Sequence, residues 1–158
     1  MSVLSTVQLR SARAADVDFL YRLHKAAMQN YVAQTWGWDE AWQQQHFHQH
    51  FDPSGCQIIV AEGHDVGVLS VVRHAEVVYL RHIAVLPTFQ GRGIGTHLIT
   101  ALLDEAQSCG KRLALQVLKV NRARHLYARL GFTMTGETST HYVMHALPKG
   151  TAPSGGGG

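Results

Sequence analysis

A glycine-rich turn carries the residues with the clearest chemical purpose. Its sequence is QGRGIG at positions 90–95, between an apolar segment and a helical pattern. Glycine lets backbone amides come close to a ligand, and the first amides of a helix lack internal acceptors and lie at the positive end of the helix dipole. Arg92 adds a full positive charge. The turn therefore predicts a cradle for an anion such as a pyrophosphate.

Two common phosphate-binding patterns do not fit this turn. A dinucleotide-binding loop has the pattern G-x-G-x-x-G, and Thr96 stands where the third glycine belongs after Gly91 and Gly93. A P-loop needs Gly-Lys followed by Ser or Thr, and the chain contains no such triplet. Glycines that serve only a tight turn are a further interpretation.

A strand and a helix must position the turn. Residues 77–86 are rich in β-branched and aliphatic side chains and predict a buried strand, which ends at Pro87. Beyond the turn, helical spacing predicts a helix that begins inside it and ends at Gly110. The apolar residues of that helix are Ile94, Leu98, Ala101, Leu102 and Ala106.

The other periodic segments complete an alternation of strands and helices. Asp16 is a predicted cap for a first helix that runs to about Ala33, and Asn121 is one for a last helix that ends at Gly131. Another helix is predicted over residues 40–50. The remaining predicted strands cover residues 7–10, 57–61, 66–72, 113–118, 132–135 and 141–144.

Length and composition predict a single domain over residues 1–150, with a flexible glycine-rich tail at 151–158. The chain has 158 residues, of which 46% are hydrophobic and 16% charged, enough apolar material for a core. No apolar run reaches the roughly 18 residues of a membrane span, and the first residues lack a signal-peptide pattern. The net charge of +3 is mildly basic, so a nucleic-acid partner is not expected.

Metal and redox chemistry have weak support in the sequence. Cys56 and Cys109 lie far apart and form no metal-binding or redox motif, which favours a reduced, cytoplasmic protein. His46 and His50 have the spacing of a metal pair on a helix, but no cysteine or acidic partner completes such a site. These histidines also fit a solvated polar face, and no metal is expected.

Two motifs together resemble those of the GNAT acetyltransferases. The turn matches Q/R-x-x-G-x-G/A with Gln90, Gly93 and Gly95 in place, and NRARHLYARLGF at 121–132 follows after one strand. The resemblance covers about residues 57–144, and the tryptophan-rich segment at 36–39 is similar to a bacterial branch of the family. It implies an α/β fold with a central mixed, mostly antiparallel sheet of about seven strands, flanked by about four helices. It also implies acetyl-CoA as co-substrate.

The resemblance assigns residues to acetyl-CoA. The backbones of Ile83 and Val85 are expected to bind the pantetheine arm and the thioester, and the turn is expected to bind the pyrophosphate. Asn121 and Arg124 are expected to contact the cofactor from the other side. The full expected set is Ile83, Val85, Gln90, Gly91, Arg92, Gly93, Ile94, Gly95, Thr96, Asn121, Arg124 and Tyr127.

Tyr127 is the residue that the resemblance offers as general acid. A phenol of pKa ~10 is protonated at neutral pH, whereas a departing thiolate has a pKa of about 8.5. Full transfer is therefore uphill, and Tyr127 is expected to share its proton as charge develops. The other interpretation is a buried tyrosine whose hydroxyl finds a structural partner.

The sequence offers several candidates for the general base. Many relatives carry a carboxylate near position 81, where this chain has Arg81, which would bind an acidic acceptor or form an ion pair with Glu76. His82 is a candidate base, but alternation along a strand directs it to the face opposite Arg81. The alternative for His82 is a buried side chain without a catalytic role. Glu137 and His141 are weaker candidates for the base.

The acceptor is expected between the first two helices. Trp36 and Trp38 would wall a substrate pocket there together with Arg81, or would only pin the helices together. Asp39 and Glu40 would attract a cationic acceptor, or cap the second helix.

These inferences favour an acetyl-CoA-dependent N-acetyltransferase that acts on a primary amine of a small molecule or peptide in a ternary complex. A non-catalytic acyl-CoA-binding module is the alternative, motivated by Arg81. An acetyltransferase for nucleic acid is a third, weaker hypothesis, motivated by the positive charge. A homodimer is compatible with the resemblance, and the sequence does not identify the acceptor.

Overall fold

The computed structural model describes residues 3–148, so the predicted tail at 151–158 lies outside the described residues. Within them, seven strands form a sheet in the order β1-β2-β3-β4-β5-β7-β6. The strands are β1 (Gln8–Ser11), β2 (Cys56–Ala61), β3 (His64–Arg73), β4 (Val77–Val85), β5 (Arg112–Leu118), β6 (Thr133–Glu137) and β7 (His141–Ala146). The α-helices are α1 (Val17–Trp36), α2 (Glu40–His50), α3 (Ile94–Ser108) and α4 (Ala123–Arg129).

The predicted α/β fold is confirmed. Its mostly antiparallel character is visible in the four strand pairs β1/β2, β2/β3, β5/β7 and β6/β7, all of which are antiparallel. The chain divides into two compact units, and the prediction of one domain over residues 1–150 stays a prediction.

The first unit comprises the described residues up to Val72 together with Leu80–Leu98. It holds β1, α1, α2, β2, β3, most of β4 and the glycine-rich turn. Helix α1 lays its apolar face on the strands, and each fully buried aliphatic side chain stabilises such a core by about 1.5–3 kcal/mol. The buried cluster consists of Leu20, Leu23, Ile58, Val68 and Ala84.

The second unit comprises Arg73–Tyr79 and the described residues from Ile99 onward. Alternate residues of β5 are buried, as expected for a strand with one face on a core: Leu113, Leu115 and Val117. Arg73 and Glu105 form a bidentate ion pair, with the guanidinium Nε 2.7 Å and Nη2 2.9 Å from the two carboxylate oxygens. Strand β6 is exposed along its whole length.

Asp16 occupies the predicted N-cap position of α1, but its side chain does not cap the helix. Its side chain accepts no hydrogen bond from the first turn of α1, because a short 3₁₀ turn leads directly into the helix. The carboxylate instead accepts hydrogen bonds from the Arg13 backbone amide (2.8 Å) and from the guanidinium of Arg10 (2.9 and 3.0 Å). Helix α1 also continues past Ala33 and stops only at Gly37, whose φ of 84° lies in the left-handed region.

The predicted cap of α2 is confirmed, because Asp39 accepts from the Trp42 amide (2.9 Å). The N-cap of α4 is Arg122 and not the predicted Asn121, which lies one residue earlier and accepts from the Ala123 amide through its Oδ1 (2.9 Å). Gly110 and Gly131 follow α3 and α4 with positive φ. None of the helices in the described part of the chain is long and apolar enough to cross a bilayer.

Candidate active site

The glycine-rich turn folds as the predicted entry to a helix. Gly91 and Gly93 have φ values of 76° and 83°, a conformation that other residues rarely adopt, and α3 begins at the next residue, Ile94. The first bond of the helix runs from the His97 amide to the Gly93 carbonyl (2.9 Å). The three preceding amides therefore lack helical acceptors at the positive end of a helix of 15 residues.

Side chains hold this turn in place. Gln90 Nε2 donates to the Val85 carbonyl (2.8 Å), which fastens the turn to the end of β4. The Arg92 guanidinium carbon lies 4.8 Å from the centroid of the Phe89 ring, so its charge stays at the turn. Gln90 thus has a structural contact that the sequence did not predict, and the Val85 carbonyl uses one of its two lone pairs on it.

The turn fits a phosphate group. A Cβ atom at Gly91 or Gly95 would meet nothing within 4 Å, and one at Gly93 would meet only the side chain of Leu4, at 3.7 Å. The turn is therefore open on its outer side, where an anion can reach the amides and Arg92. These properties agree with the predicted pyrophosphate cradle of residues 90–96.

Tyr127 lies in the second unit, on α4. Its ring is buried and stands 5.6 Å from the Phe132 ring, and burial raises the pKa of its hydroxyl to about 12. Desolvation is the sole cause of this shift, with no hydrogen bond to the hydroxyl among the described residues. The role of Tyr127 as general acid stays a prediction.

The remaining predicted cofactor residues of the second unit stand around the start of α4. Asn121 uses its Oδ1 to accept from the Ala123 amide, which leaves its amide nitrogen for another partner. The Arg124 guanidinium carbon lies 5.7 Å from the Tyr142 ring centroid. Both residues keep polar groups available, and their contact with a cofactor stays a prediction.

The first unit contains a cavity of about 310 Å³ between α1, α2 and the strands β2 to β4. Its wall combines aromatic and aliphatic side chains with titratable and hydroxyl groups. The lining residues are Leu20, His24, His46, Phe47, His50, Phe51, Asp52, Cys56, Val68, Ser70, Arg81 and His82.

Arg81 and His82 both line this cavity, although strand alternation predicts opposite faces. Alternation does hold for burial, since Leu80 and Ala84 are buried, His82 is half-buried and Arg81 is exposed. Alternation sets only the direction of the Cβ atoms, and both residues still contribute to the wall. Burial lowers the pKa of His82 to about 4, with smaller contributions from the charges of His24 and Arg81. The imidazole is therefore neutral at pH 7.

Ser70 and Asp52 are site candidates that the sequence analysis missed. Ser70 is 3% exposed, and its Oγ is the one fully buried side-chain polar atom without a partner within residues 3–148. The hydroxyl stands within an apolar strand, where one serine gave little signal. The carboxylate of Asp52 accepts from the Ser54 amide (3.0 Å) and hydroxyl (2.7 Å), and these bonds, followed by the charge of Arg81, lower its pKa.

Comparison with known proteins decides the family. The model of the acetyltransferase (GNAT) family matches residues 17–132, which include the turn, the cavity and α4. The chain belongs to the GNAT acetyltransferase family. The predicted resemblance is thereby confirmed.

Individual GNAT relatives match parts of the chain. It is 38% identical over 78 residues to the ribosomal protein bS18-alanine N-acetyltransferase of Haemophilus influenzae, covering 49% of this chain and 48% of that protein. It is 39% identical over 57 residues to the L-amino acid N-acyltransferase MnaT of Escherichia coli, covering 35% and 33%. The chain thus spans about a third to a half of these curated relatives.

A solved GNAT structure has the same fold. The PaiA N-acetyltransferase from Thermoplasma acidophilum, in complex with coenzyme A, superposes with a TM-score of 0.73 at 13% identity. The match covers 90% of this chain and 99% of that one. At 13% identity, this similarity shows a shared fold and does not identify the acceptor of this chain.

The tryptophans of this GNAT chain do not belong to the cavity wall. Trp38 Nε1 donates to Glu40 (2.8 Å), and its ring stands 5.7 Å from that of His24 on α1. Trp36 is 61% exposed at the end of α1. Of the three predicted acceptor residues, only Arg81 lines the cavity, and Trp38 pins the two helices together.

The two glutamates proposed as further site candidates form hydrogen bonds or ion pairs with other side chains. Glu40 accepts from Lys25 (2.8 Å) and Tyr21 (3.1 Å) as well as Trp38, so it is not held ready for a cationic acceptor. Glu137 forms an ion pair with Lys119 (2.7 Å).

His141 contacts the hydroxyl of Thr140 (2.8 Å). Across the described chain, no three His, Cys, Asp or Glu side chains are grouped closely enough to hold a metal.

Proposed function

We propose that this protein is an acetyl-CoA-dependent N-acetyltransferase that transfers an acetyl group directly to a primary amine of a small molecule or peptide. The observation that carries the proposal is the open glycine turn with three acceptor-free amides and Arg92, in a chain of the GNAT family. The names of relatives support it. MnaT is named as an amino acid acyltransferase, the Haemophilus protein acts on an alanine, and the Thermoplasma structure holds coenzyme A.

Acetyl-CoA would be held by backbone groups of the first unit. The amides of residues 94–96 and the Arg92 guanidinium would bind the pyrophosphate, and the backbones of Ile83 and Val85 the pantetheine arm. The cofactor supplies the activated acetyl thioester. An amide donor directed at the developing oxyanion contributes about 3 kcal/mol to such a transfer.

Tyr127 would hold the proton that the departing sulfur needs. The phenol, with a pKa of about 12, stays protonated throughout the physiological range. Full transfer to a thiolate of pKa about 8.5 is uphill by roughly 5 kcal/mol, since each pKa unit corresponds to about 1.4 kcal/mol. Tyr127 therefore acts as a hydrogen-bond donor to the sulfur while negative charge develops there.

His82 is too weak a base to deprotonate an ammonium ion. Its pKa of about 4 lies roughly six units below that of an alkyl ammonium, a difference of about 8 kcal/mol. The neutral imidazole would accept a hydrogen bond from an amine that is already uncharged. The rate should therefore rise with pH up to the pKa of the acceptor itself, without a plateau near 6.5.

A non-catalytic acyl-CoA-binding module is the second candidate. It is favoured by Arg81, which replaces the carboxylate that many relatives carry, and by the weak basicity of His82. It predicts cofactor binding without turnover. A cytoplasmic location and a homodimer stay predictions.

Release of free thiol from acetyl-CoA tests the proposal. Amino acids, polyamines, aminoglycosides and short peptides are offered as acceptors to the wild type and to Tyr127→Phe, with Tyr31→Phe as the control that loses a hydroxyl elsewhere. We expect turnover of one acceptor class, with kcat about 100-fold lower in Tyr127→Phe and unchanged KM for acetyl-CoA. Tight acetyl-CoA binding without turnover of any acceptor would favour the binding module.

A further inference from the structure

Two residues that line the cavity of the first unit carry polar groups without a hydrogen-bond or ion-pair partner among the described residues. One is the hydroxyl of Ser70, and the other is the guanidinium of Arg81. Both line the same space of about 310 Å³, and together they indicate which chemical groups an occupant presents there.

Ser70 is one of the residues that line the cavity. Its side chain is almost completely buried and its Oγ has no hydrogen-bond partner among the described residues. A buried hydroxyl without a partner costs free energy, because it loses its bonds to water and gains none in return. A hydroxyl both donates and accepts, so a ligand amine is a suitable partner.

Arg81 supplies a positive charge that has no ion-pair partner among the described residues. In the described part of the chain no carboxylate lies within 4 Å of its guanidinium, so the alternative of an ion pair with Glu76 is wrong. Asp52 feels the charge of Arg81 but directs its carboxylate to Ser54. A guanidinium presents paired N–H donors that match a carboxylate.

The rest of the wall sets the size and polarity of the occupant. Leu20, Phe47, Phe51 and Val68 present apolar surface. A volume of about 310 Å³ is at the lower end of small-molecule sites, which favours one amino acid over a longer chain.

We propose that the acceptor is a small amino carboxylate, an α-amino acid with an apolar side chain, whose carboxylate binds Arg81 while Ser70 and His82 hold its amine. The apolar residues of the wall contact its side chain. This inference rests on the proposed function and names the acceptor class of the same site. Arg81 then attracts the carboxylate of the acceptor. A carboxylate side chain at position 81 would repel it.

The test compares L-leucine with L-leucinamide, which keeps the amine and the side chain but lacks the carboxylate. The variants are Arg81→Gln and, as the control for loss of one exposed arginine, Arg22→Gln on α1. We expect the wild type and Arg22→Gln to prefer leucine by roughly 10- to 100-fold in kcat/KM, the range for a charge-assisted hydrogen bond. Arg81→Gln should lose the preference, because its KM for leucine should rise far more than its KM for leucinamide.

Ser70→Ala separates a ligand contact from a structural role. Because the hydroxyl has no partner within residues 3–148, its removal should leave the midpoint of urea unfolding unchanged or higher. The KM for leucine and for leucinamide should rise together, about 5- to 10-fold, since both carry the amine. A lower unfolding midpoint with unchanged KM values would overturn the role of Ser70.

Calorimetric binding of leucine and leucinamide, with coenzyme A present, distinguishes failure of this inference from failure of the proposed function. One outcome is that no acceptor is turned over but leucine binds, at least 10-fold more weakly in Arg81→Gln than in the wild type. That outcome would reject the proposed enzymatic function and keep the amino carboxylate as the ligand class of the cavity. Equal turnover of leucine and leucinamide by the wild type would keep the enzyme and overturn the inference. Leucine binding that is absent, or equal in wild type and Arg81→Gln, would also overturn it.

Discussion

At the scale of single residues, the contacts of Asp16 connect β1 to the start of α1. Arg10 donates to both oxygens of Asp16 and also to Asp65 (2.8 Å), which lies 55 positions from Arg10 in the chain. The hydrogen bonds from Arg10 are the main cause that lowers the pKa of Asp16 from its usual 3.8 to about 2. The cluster helps to place α1, which carries Leu20 and His24 of the cavity wall.

Because the pKa of Asp16 is lower in the folded protein, its contribution to stability is present above about pH 4 and is lost as the pH falls toward 2. Asp16→Asn should therefore lower the free energy of unfolding by roughly 1–2 kcal/mol at pH 6, and the difference from wild type should shrink below pH 3. Urea unfolding at a series of pH values measures this. Asp104→Asn, an exposed change on α3, should stay within about 0.5 kcal/mol of wild type. A difference for Asp16→Asn that is independent of pH would contradict this role.

At the scale of elements, the turn and the cavity differ in how far the sequence predicted them. The start of α3 at Ile94 followed from glycine spacing and helical periodicity, which are local properties of the chain. The cavity wall comes from two helices, three strands and a loop, so its composition depends on packing. Ser70 was hidden in an apolar strand, and the second ion pair of Arg10 was hidden because its partner Asp65 is distant in sequence. The tryptophans were conspicuous, but Trp38 binds Glu40 rather than lining the cavity.

The turn allows a direct test of the cofactor site. Gly93→Ala introduces a side chain at a φ of 83° with only Leu4 near it, so the backbone strain should cost about 1–2 kcal/mol of stability without a clash. Gly63, in the β2–β3 turn, has a φ of 77° and open space beside its Cα atom. Gly63→Ala is therefore a control with the same backbone strain. We expect similar thermal destabilisation in both variants but at least 10-fold weaker acetyl-CoA binding, measured by calorimetry, only in Gly93→Ala. Equal affinity in the two variants would place the pyrophosphate elsewhere.

At the scale of the whole molecule, the net charge of +3 attracts any polyanion, so selectivity must come from the shape of the site. Acetyl-CoA, NAD and ATP all present phosphates to a glycine turn. The turn lacks the third glycine of a dinucleotide-binding loop and the lysine of a P-loop, whereas its Gln90, Gly93 and Gly95 match the GNAT pattern. Among these ligands, acetyl-CoA alone has a pantetheine arm, which we propose binds the backbone of β4.

Thermal unfolding of the whole chain turns this selectivity into a measurable shift. A ligand at 100 times its Kd stabilises the folded state by about 2.7 kcal/mol, and for a protein of this size each kcal/mol raises Tm by about 2–4 °C. Acetyl-CoA should therefore raise Tm by roughly 5–10 °C, whereas NAD, ATP and a single-stranded RNA at the same concentration should each give less than about 1 °C. The acetyl-CoA shift should persist at 0.3 M NaCl, because backbone amides and the pantetheine contacts carry much of the binding, whereas RNA binding driven by phosphate charge would disappear. Equal shifts for all four ligands would show a general anion site, and a shift confined to RNA would favour the nucleic-acid hypothesis instead.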